Sequence, residues 1–278
     1  QVIADHFMWP SGGIPEMLPD NLRDEACQTA NWARLNLALW RLTGETSYLD
    51  LAERTWLNHL YFDQHPNGGF CWGRTLRGGG ALNQRMSEAG EPFEMWYCCS
   101  ETAPRALLDL GRHAVALVDG RPAINLWAAG TYRLSGCRVE IVRDVTPGER
   151  LEAVVESDRP ISLDLRLPVR TDAVWLTVDG ADTAVTRVGD RIVVPSRRHA
   201  EVAVEVRFLE SRETHDYPRF VTPGGDANNP DALWNPAETV NYTGTHAARF
   251  TGPWLAKADV EEDAWFEPNR RYRQLLGP

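Results

Sequence analysis

Cys98 and Cys99 stand side by side in the stretch EMWYCCSETAPRALLDLG, residues 94–111, where a helix is about to begin. Vicinal thiols seldom bond to each other, because the ring they close is strained and disulfide geometry is demanding. Three chemistries remain open to such a pair: two small core residues, a redox couple, or two ligands of one metal ion. A third cysteine, Cys27, follows Glu25 by two residues in RDEACQT. That spacing points both side chains the same way in extended chain or just ahead of a helix, and this segment lies at such a transition. Glu25, Cys27, Cys98 and Cys99 thus make a Cys₃Glu set, and zinc takes thiolates and carboxylates in a tetrahedral array of four. The familiar zinc spacings are CxxC pairs, so buried, unligated thiols stand as the plain alternative.

Helices have to carry these residues. EACQTANWARLNLALWRLTG places Trp32, Leu35, Leu39 and Leu42 at helical spacing and stops at Gly44, a natural C-terminal cap. After the short GET link, Thr46 or Ser47 caps a second helix through Leu49, Ala52, Trp56 and Leu60, which makes an antiparallel αα-hairpin. A third helix is expected from about Thr102 to Val118, with Pro104 in its first turn. Residues 1–24, rich in Gly and Pro, read as loop, and residues 63–97, with PNGGF and RGGG, as long functional loops or a short hairpin.

Beyond Gly120 the period changes from helical to alternating. ISLDLRLPV sets Ile161, Leu163, Leu165 and Leu167 on one face, and EVAVEVRF does the same with Val202, Val204, Val206 and Phe208. Shorter runs near 123–128, 138–143, 150–156, 174–178 and 191–194 complete seven candidate strands at sandwich-like spacing. The expected fold class is α+β and multidomain: a partial (α/α) helical-barrel segment over 1–120, an antiparallel β-sandwich over 121–210, and a loop-rich extension over 211–278 that packs on the others.

The totals narrow the chemistry. With 43% hydrophobic and 24% charged residues the chain is of ordinary globular composition, and its net charge of −10 argues against a nucleic-acid partner. No apolar run reaches the length of a membrane span. Lys257 is the single lysine, which leaves almost no scope for Schiff-base chemistry. Five scattered cysteines do not make a disulfide framework, so a reducing, bacterial cytoplasmic location is expected. The chain opens on Gln1 without signal-peptide zones, as if an upstream stretch had been cut.

The segments EAC before an amphipathic helix, GETSYLDLAERTWLNHLYFDQHPNGGFCWG, and WYCCSETAPRALLDLGRHAVAL together resemble glycoside hydrolase family 127, the β-L-arabinofuranosidase family of the DUF1680 group. The later LRLPV and VDG also look like their counterparts in that family, so the resemblance spans most of residues 10–210. It implies a zinc ion held by one glutamate and three cysteines, here Glu25, Cys27, Cys98 and Cys99. It also implies that the first cysteine of the pair, Cys98, is the nucleophile, and that an upstream glutamate is the acid/base. Glu16 in GGIPEMLPDN is the candidate for that last role, with Asp20 and Asp24 as alternatives. The implied reaction is retaining hydrolysis of a glycoside or oligosaccharide, with thiolate replacing the usual carboxylate nucleophile.

Members of that family carry several hundred further residues ahead of this region. A shorter chain is then a fragment, or pairs its helices with a missing N-terminal partner or in a homo-oligomer, or has lost the activity. A non-catalytic carbohydrate-binding or scaffold protein with a residual structural zinc site is the rival reading, and a thiol redox protein ranks behind it. Trp72, Trp96 and His65, on loops beside the pair, are the substrate-binding candidates. Trp32, Trp40 and Trp56 sit at helix-face spacing and read as core, and His59 and His113 as structural residues. Cys71 reads as a buried thiol, and the NYT sequon at Asn241 carries no weight in a bacterial-looking chain.

Overall fold

The computed structural model describes residues 2–6, 8, 10–17, 21–24, 26–61, 63–64, 69–70, 97–143, 150–217 and 244–258. The helical part comes first: α1 Val2–His6, a hairpin of β1 Pro15–Met17 with β2 Asn21–Asp24, then α2 Ala26–Thr43, α3 Thr46–Thr55 and α4 Tyr97–Ala114. Gly44 ends α2 in the left-handed conformation at φ 75°, and its N–H donates to the Trp40 carbonyl, as expected of a glycine cap. The cap of α3 differs from expectation: it is Glu45 with no side-chain cap bond, and the Thr43 hydroxyl accepts from the Glu45 N–H instead. Past α3 the chain widens into a π-helical turn, Trp56–Leu60.

The buried face of α2 is also not the one its leucines suggest. Ala26, Ala30, Ala33, Leu37 and Trp40 face inward, while Leu35 and Leu42 are exposed at 46% and 82%. Small side chains win because α2 packs closely on α4, whose Ala103, Ala106 and Ala114 are equally buried. The Arg34 Nε–H donates to Asp109 Oδ2 across that contact at 2.7 Å. The tryptophans at 32, 40 and 56 are buried, in line with a core role.

The sheet follows: β3 Val115–Val118, β4 Arg121–Ile124, β5 Gly130–Leu134, β6 Cys137–Arg143, β7 Arg150–Arg166, β8 Thr171–Val178, β9 Ala181–Thr183, β10 Thr186–Val188 and β11 Arg191–Phe208. Residues 115–118, expected to end the third helix, are a strand paired with β4 through a two-residue turn at Asp119–Gly120, both at positive φ. Two pairs of expected strands are each one long strand, β7 and β11. These run antiparallel from Arg150↔Glu205 to Arg166↔Arg191, with a shifted register between Val194 and His199. Bulges of this kind bend and twist a strand. On either side of the shift the long pair recruits different neighbours, β6 and β8 at one end, β4 and β10 at the other. Inward residues from both ends, such as Val139, Leu151, Leu163, Leu165, Ile192 and Val202, share one buried cluster.

A third element lies where loop was expected. β12 Glu210–Tyr217, β13 Gly244–Thr251 and β14 Trp254–Ala258 form an antiparallel three-stranded sheet. It is fastened to the helices by charge: the Glu213 carboxylate accepts from Arg54 Nη2 at 2.9 Å and also from Arg170, while both guanidiniums lie over the Phe250 ring at 4.5 and 4.4 Å. Glu213→Ala is therefore expected to cost about 1.5–3 kcal/mol, the range for hydrogen bonds to charged groups. Urea unfolding of the variant checks this, and a midpoint equal to the parent's would show that the clamp contributes nothing.

Residues 125–128 join the two cores, since Leu126 enters the helical cluster and Trp127 the sheet cluster. Beside them Arg166, fully buried, reaches from β7 to Glu53 and Asp50 on α3. Among the described residues no helix is long and apolar enough to cross a membrane.

Candidate metal centre

The first turn of α2 carries Cys27, and the first turn of α4 carries Cys98 and Cys99. That helix begins at Tyr97, five residues before its expected start, so the pair lies inside it. Pro104 consequently falls in the helix interior, where it cannot donate to the Ser100 carbonyl. Because α2 and α4 pack side by side, their N-terminal turns converge, and the three sulfurs lie within 4.8 Å of one another. The Cys27 and Cys99 sulfurs are 3.6 Å apart.

These distances suit a metal. Ligands at about 2.3 Å in a tetrahedron stand roughly 3.8 Å from each other, and an all-thiolate face selects zinc over the hard cations. All three cysteines stand in the first turns of helices, where the positive ends of the helix dipoles favour anionic charge. The three are not equally accessible. Cys99 is fully buried and Cys27 nearly so, whereas Cys98 keeps partial exposure. Ser100, next in line, fixes the neighbouring chain: its hydroxyl accepts from the Phe70 N–H at 3.0 Å and donates to the Phe70 carbonyl at 3.2 Å. Cys137 stands apart in the sheet core, its thiol pushed up first by burial and then by the Asp158 charge.

Of the remaining site candidates, Glu16 has its backbone in β1, and its side chain lies outside the described residues. The hairpin register pairs Pro15 with Asp24, so the Glu16 backbone runs beside the segment that enters α2. Glu25, Asp20, His65, Cys71, Trp72 and Trp96 lie outside the described residues. His113 bonds the Asp109 carbonyl within its own helix, a structural contact.

His59 is fully buried on the π-helical turn, and its Nδ1 stands 2.7 Å from Ser11 Oγ in a segment the sequence offered only as loop. The one sequence signal for it was the pair Gly12–Gly13 directly after Ser11.

A family model described as "Beta-L-arabinofuranosidase, GH127 catalytic domain" matches residues 5–112 of the chain. Against curated proteins the sequence finds no significant match. Solved structures share the fold. One titled "Glycoside hydrolase" aligns at 16% identity and TM-score 0.63, over 91% of this chain and 45% of its own. A GH127 β-L-arabinofuranosidase from Geobacillus stearothermophilus T6 aligns at 14% identity and TM-score 0.60, over 91% and 41%. A GH127 β-arabinofuranosidase aligns at 18% identity and TM-score 0.61, over 91% and 42%. The chain thus spans less than half the length of the solved structures it matches.

Proposed function

We propose that this chain, which carries a stretch of GH127-type catalytic domain over residues 5–112, is a zinc-dependent retaining glycoside hydrolase of the β-L-arabinofuranosidase kind. The observation that supports this most is the convergence of Cys27, Cys98 and Cys99 within 4.8 Å, inside the matched region. In this reading residues 1–120 are a segment of an (α/α) barrel, residues 121–210 a β-sandwich folded about the long strands, and residues 211–278 an extension packed on both.

Glu25, Cys27, Cys98 and Cys99 would hold the metal, which when bound keeps coordinated thiols ionised near neutral pH. The chain's own residues do the rest. Cys98, the accessible sulfur of the three, attacks the anomeric carbon while Glu16 gives its proton to the leaving oxygen. The new carbon–sulfur bond is then broken by water that Glu16 deprotonates, and two inversions retain configuration. Trp72, Trp96 and His65 hold the sugar in this reading.

The test is turnover of an aryl β-L-arabinofuranoside by the intact chain and by Cys98→Ser. Hydrolysis by the parent that falls at least a thousandfold in the variant is expected, since the weaker nucleophile cannot take over. Undiminished hydrolysis by Cys98→Ser would remove Cys98 as nucleophile. A scaffold or carbohydrate-binding protein would keep the metal as a staple and hydrolyse no glycoside at full occupancy.

A further inference from the structure

Three residues at the end of α3 and in its π-helical turn grip the segment Pro10–Gly13. The Arg54 Nε–H donates to the Pro10 carbonyl at 2.7 Å, and the Thr55 hydroxyl donates to the Gly12 carbonyl at 2.8 Å. Between them Ser11 and His59, both without solvent exposure, meet at 2.7 Å through Oγ and Nδ1. With the ring proton on Nε2, which faces Asp63 Oδ2 at 3.8 Å, the Ser11 hydroxyl is the donor to Nδ1. The fit leaves no slack. A Cβ on Gly13 would sit 2.1 Å from the His59 ring, and one on Gly12 would sit 2.7 Å from the Thr55 nitrogen, at a φ of +93° that disfavours any side chain.

Serine, histidine and aspartate in contact suggest a hydrolase triad, but all three side chains are fully buried, out of reach of a substrate. The hydroxyl also sits on Nδ1 and the carboxylate near Nε2, the reverse of the working arrangement. What the grip does control is the chain that leaves it. Two residues past Gly13 β1 begins, Glu16 follows, and β1 pairs with the strand that runs into α2 and Cys27. Single-turn π-helical segments recur at functional sites, and His59 lies on one.

We infer that His59 and Ser11 are positioning residues, which set where the hairpin bearing Glu16 stands relative to the cysteine cluster. The inference rests on the hydrolase reading for its catalytic consequence, though not for its structural one. Hydrogen exchange and kinetics on the full chain, with Ser11→Ala and His59→Gln, separate the two. Expected is faster exchange confined to peptides covering residues 14–24, with α3 and the sheet unchanged. Where the parent hydrolyses an aryl β-L-arabinofuranoside, kcat should fall about tenfold or more with KM unchanged, as for a catalytic group moved by a fraction of its reach. Exchange that rises evenly over the whole chain, or not at all in 14–24, overturns the inference, as does an unaltered kcat in an active parent. A parent that hydrolyses nothing counts against the hydrolase reading alone, and the exchange pattern then decides the positioning claim by itself.

Discussion

Glu53→Ala is expected to destabilise the fold by about 3–5 kcal/mol, the cost of stranding one partner of a buried ion pair. Arg166 is fully buried, and its Nη1 and Nη2 donate to Glu53 Oε1 and Oε2 at 3.2 and 3.0 Å, with Asp50 and the Asn125 carbonyl as further acceptors. Burial acts against the Arg166 charge, yet the carboxylates of Glu53 and then Asp50 outweigh it, so its pKa lies above the ordinary arginine value. Glu53 is held in the opposite sense: burial pushes its carboxyl up, and the guanidinium pulls it back. Without Glu53, a fully buried cation would keep, among the described residues, only partly exposed carboxylates: Asp50, 36% exposed, and Asp190 at 4.0 Å, 39% exposed. Thermal unfolding should show a drop on the order of 10 °C, given about 2–4 °C per kcal/mol for a chain of this size class. The paired variant Glu53→Ala/Arg166→Met should recover most of that loss, because an apolar replacement of a whole buried pair is often neutral. A single variant within about 1 kcal/mol of the parent would mean that water or a nearby group takes over the guanidinium, and the junction between helices and sheet would need another account.

That junction shows where the sequence could be read and where it could not. Leu163, Leu165 and Leu167 alternate as a half-buried strand should, and they do line the sheet core. Alternation then consigns Asp164 and Arg166 to solvent, but Glu53 and Asp50 of α3 meet Arg166 and Arg121 of β4 pairs with Asp164, and both are buried. A pattern of period two reports one face of a strand; it carries nothing about what another element lays on the other. The misjudged face of α2 has a similar cause. Leu35, Leu39 and Leu42 dominate a hydrophobicity count, whereas close approach of two helices selects alanine, whose small size the count undervalues. The four expected strands merge into β7 and β11 because pairing resumes beyond the register shifts next to Pro160 and Pro195, residues that a local reading takes as stops. The three-stranded sheet of β12, β13 and β14 was illegible because its strands are separated by residues 218–243 and have no clear apolar period.

The cysteine cluster was legible for the contrary reason. Its thiols were conspicuous by residue type, Cys27 after Glu25 and the vicinal pair, and each stands in the first turn of a helix, so the side-by-side packing of α2 and α4 brings them together. Ser11 and His59 had no such support, since nothing in a local pattern couples a Gly-rich loop to a histidine 48 residues away.

Purified chain is expected to carry about one zinc ion, and Cys98→Ala/Cys99→Ala to carry none above background. The reasoning is one of ligand count. Three sulfurs within 4.8 Å of one another, two of them 3.6 Å apart, stand at the separations one tetrahedral ion requires. With two of them gone, Cys27 and any one carboxylate make a two-ligand site, too poor to compete with buffer. Metal mass spectrometry reads the content directly. A linked readout comes from stability: at a free metal concentration a thousand times Kd, binding adds about 4 kcal/mol to the folded state. A chelator should therefore lower the melting temperature of the parent and leave that of the double variant where it is. Parent chain without zinc, and indifferent to chelator, would mean that the converged sulfurs are core thiols in this protein. Cys98 would then lack a metal to keep it ionised, and the hydrolase reading would lose the feature that supports it most.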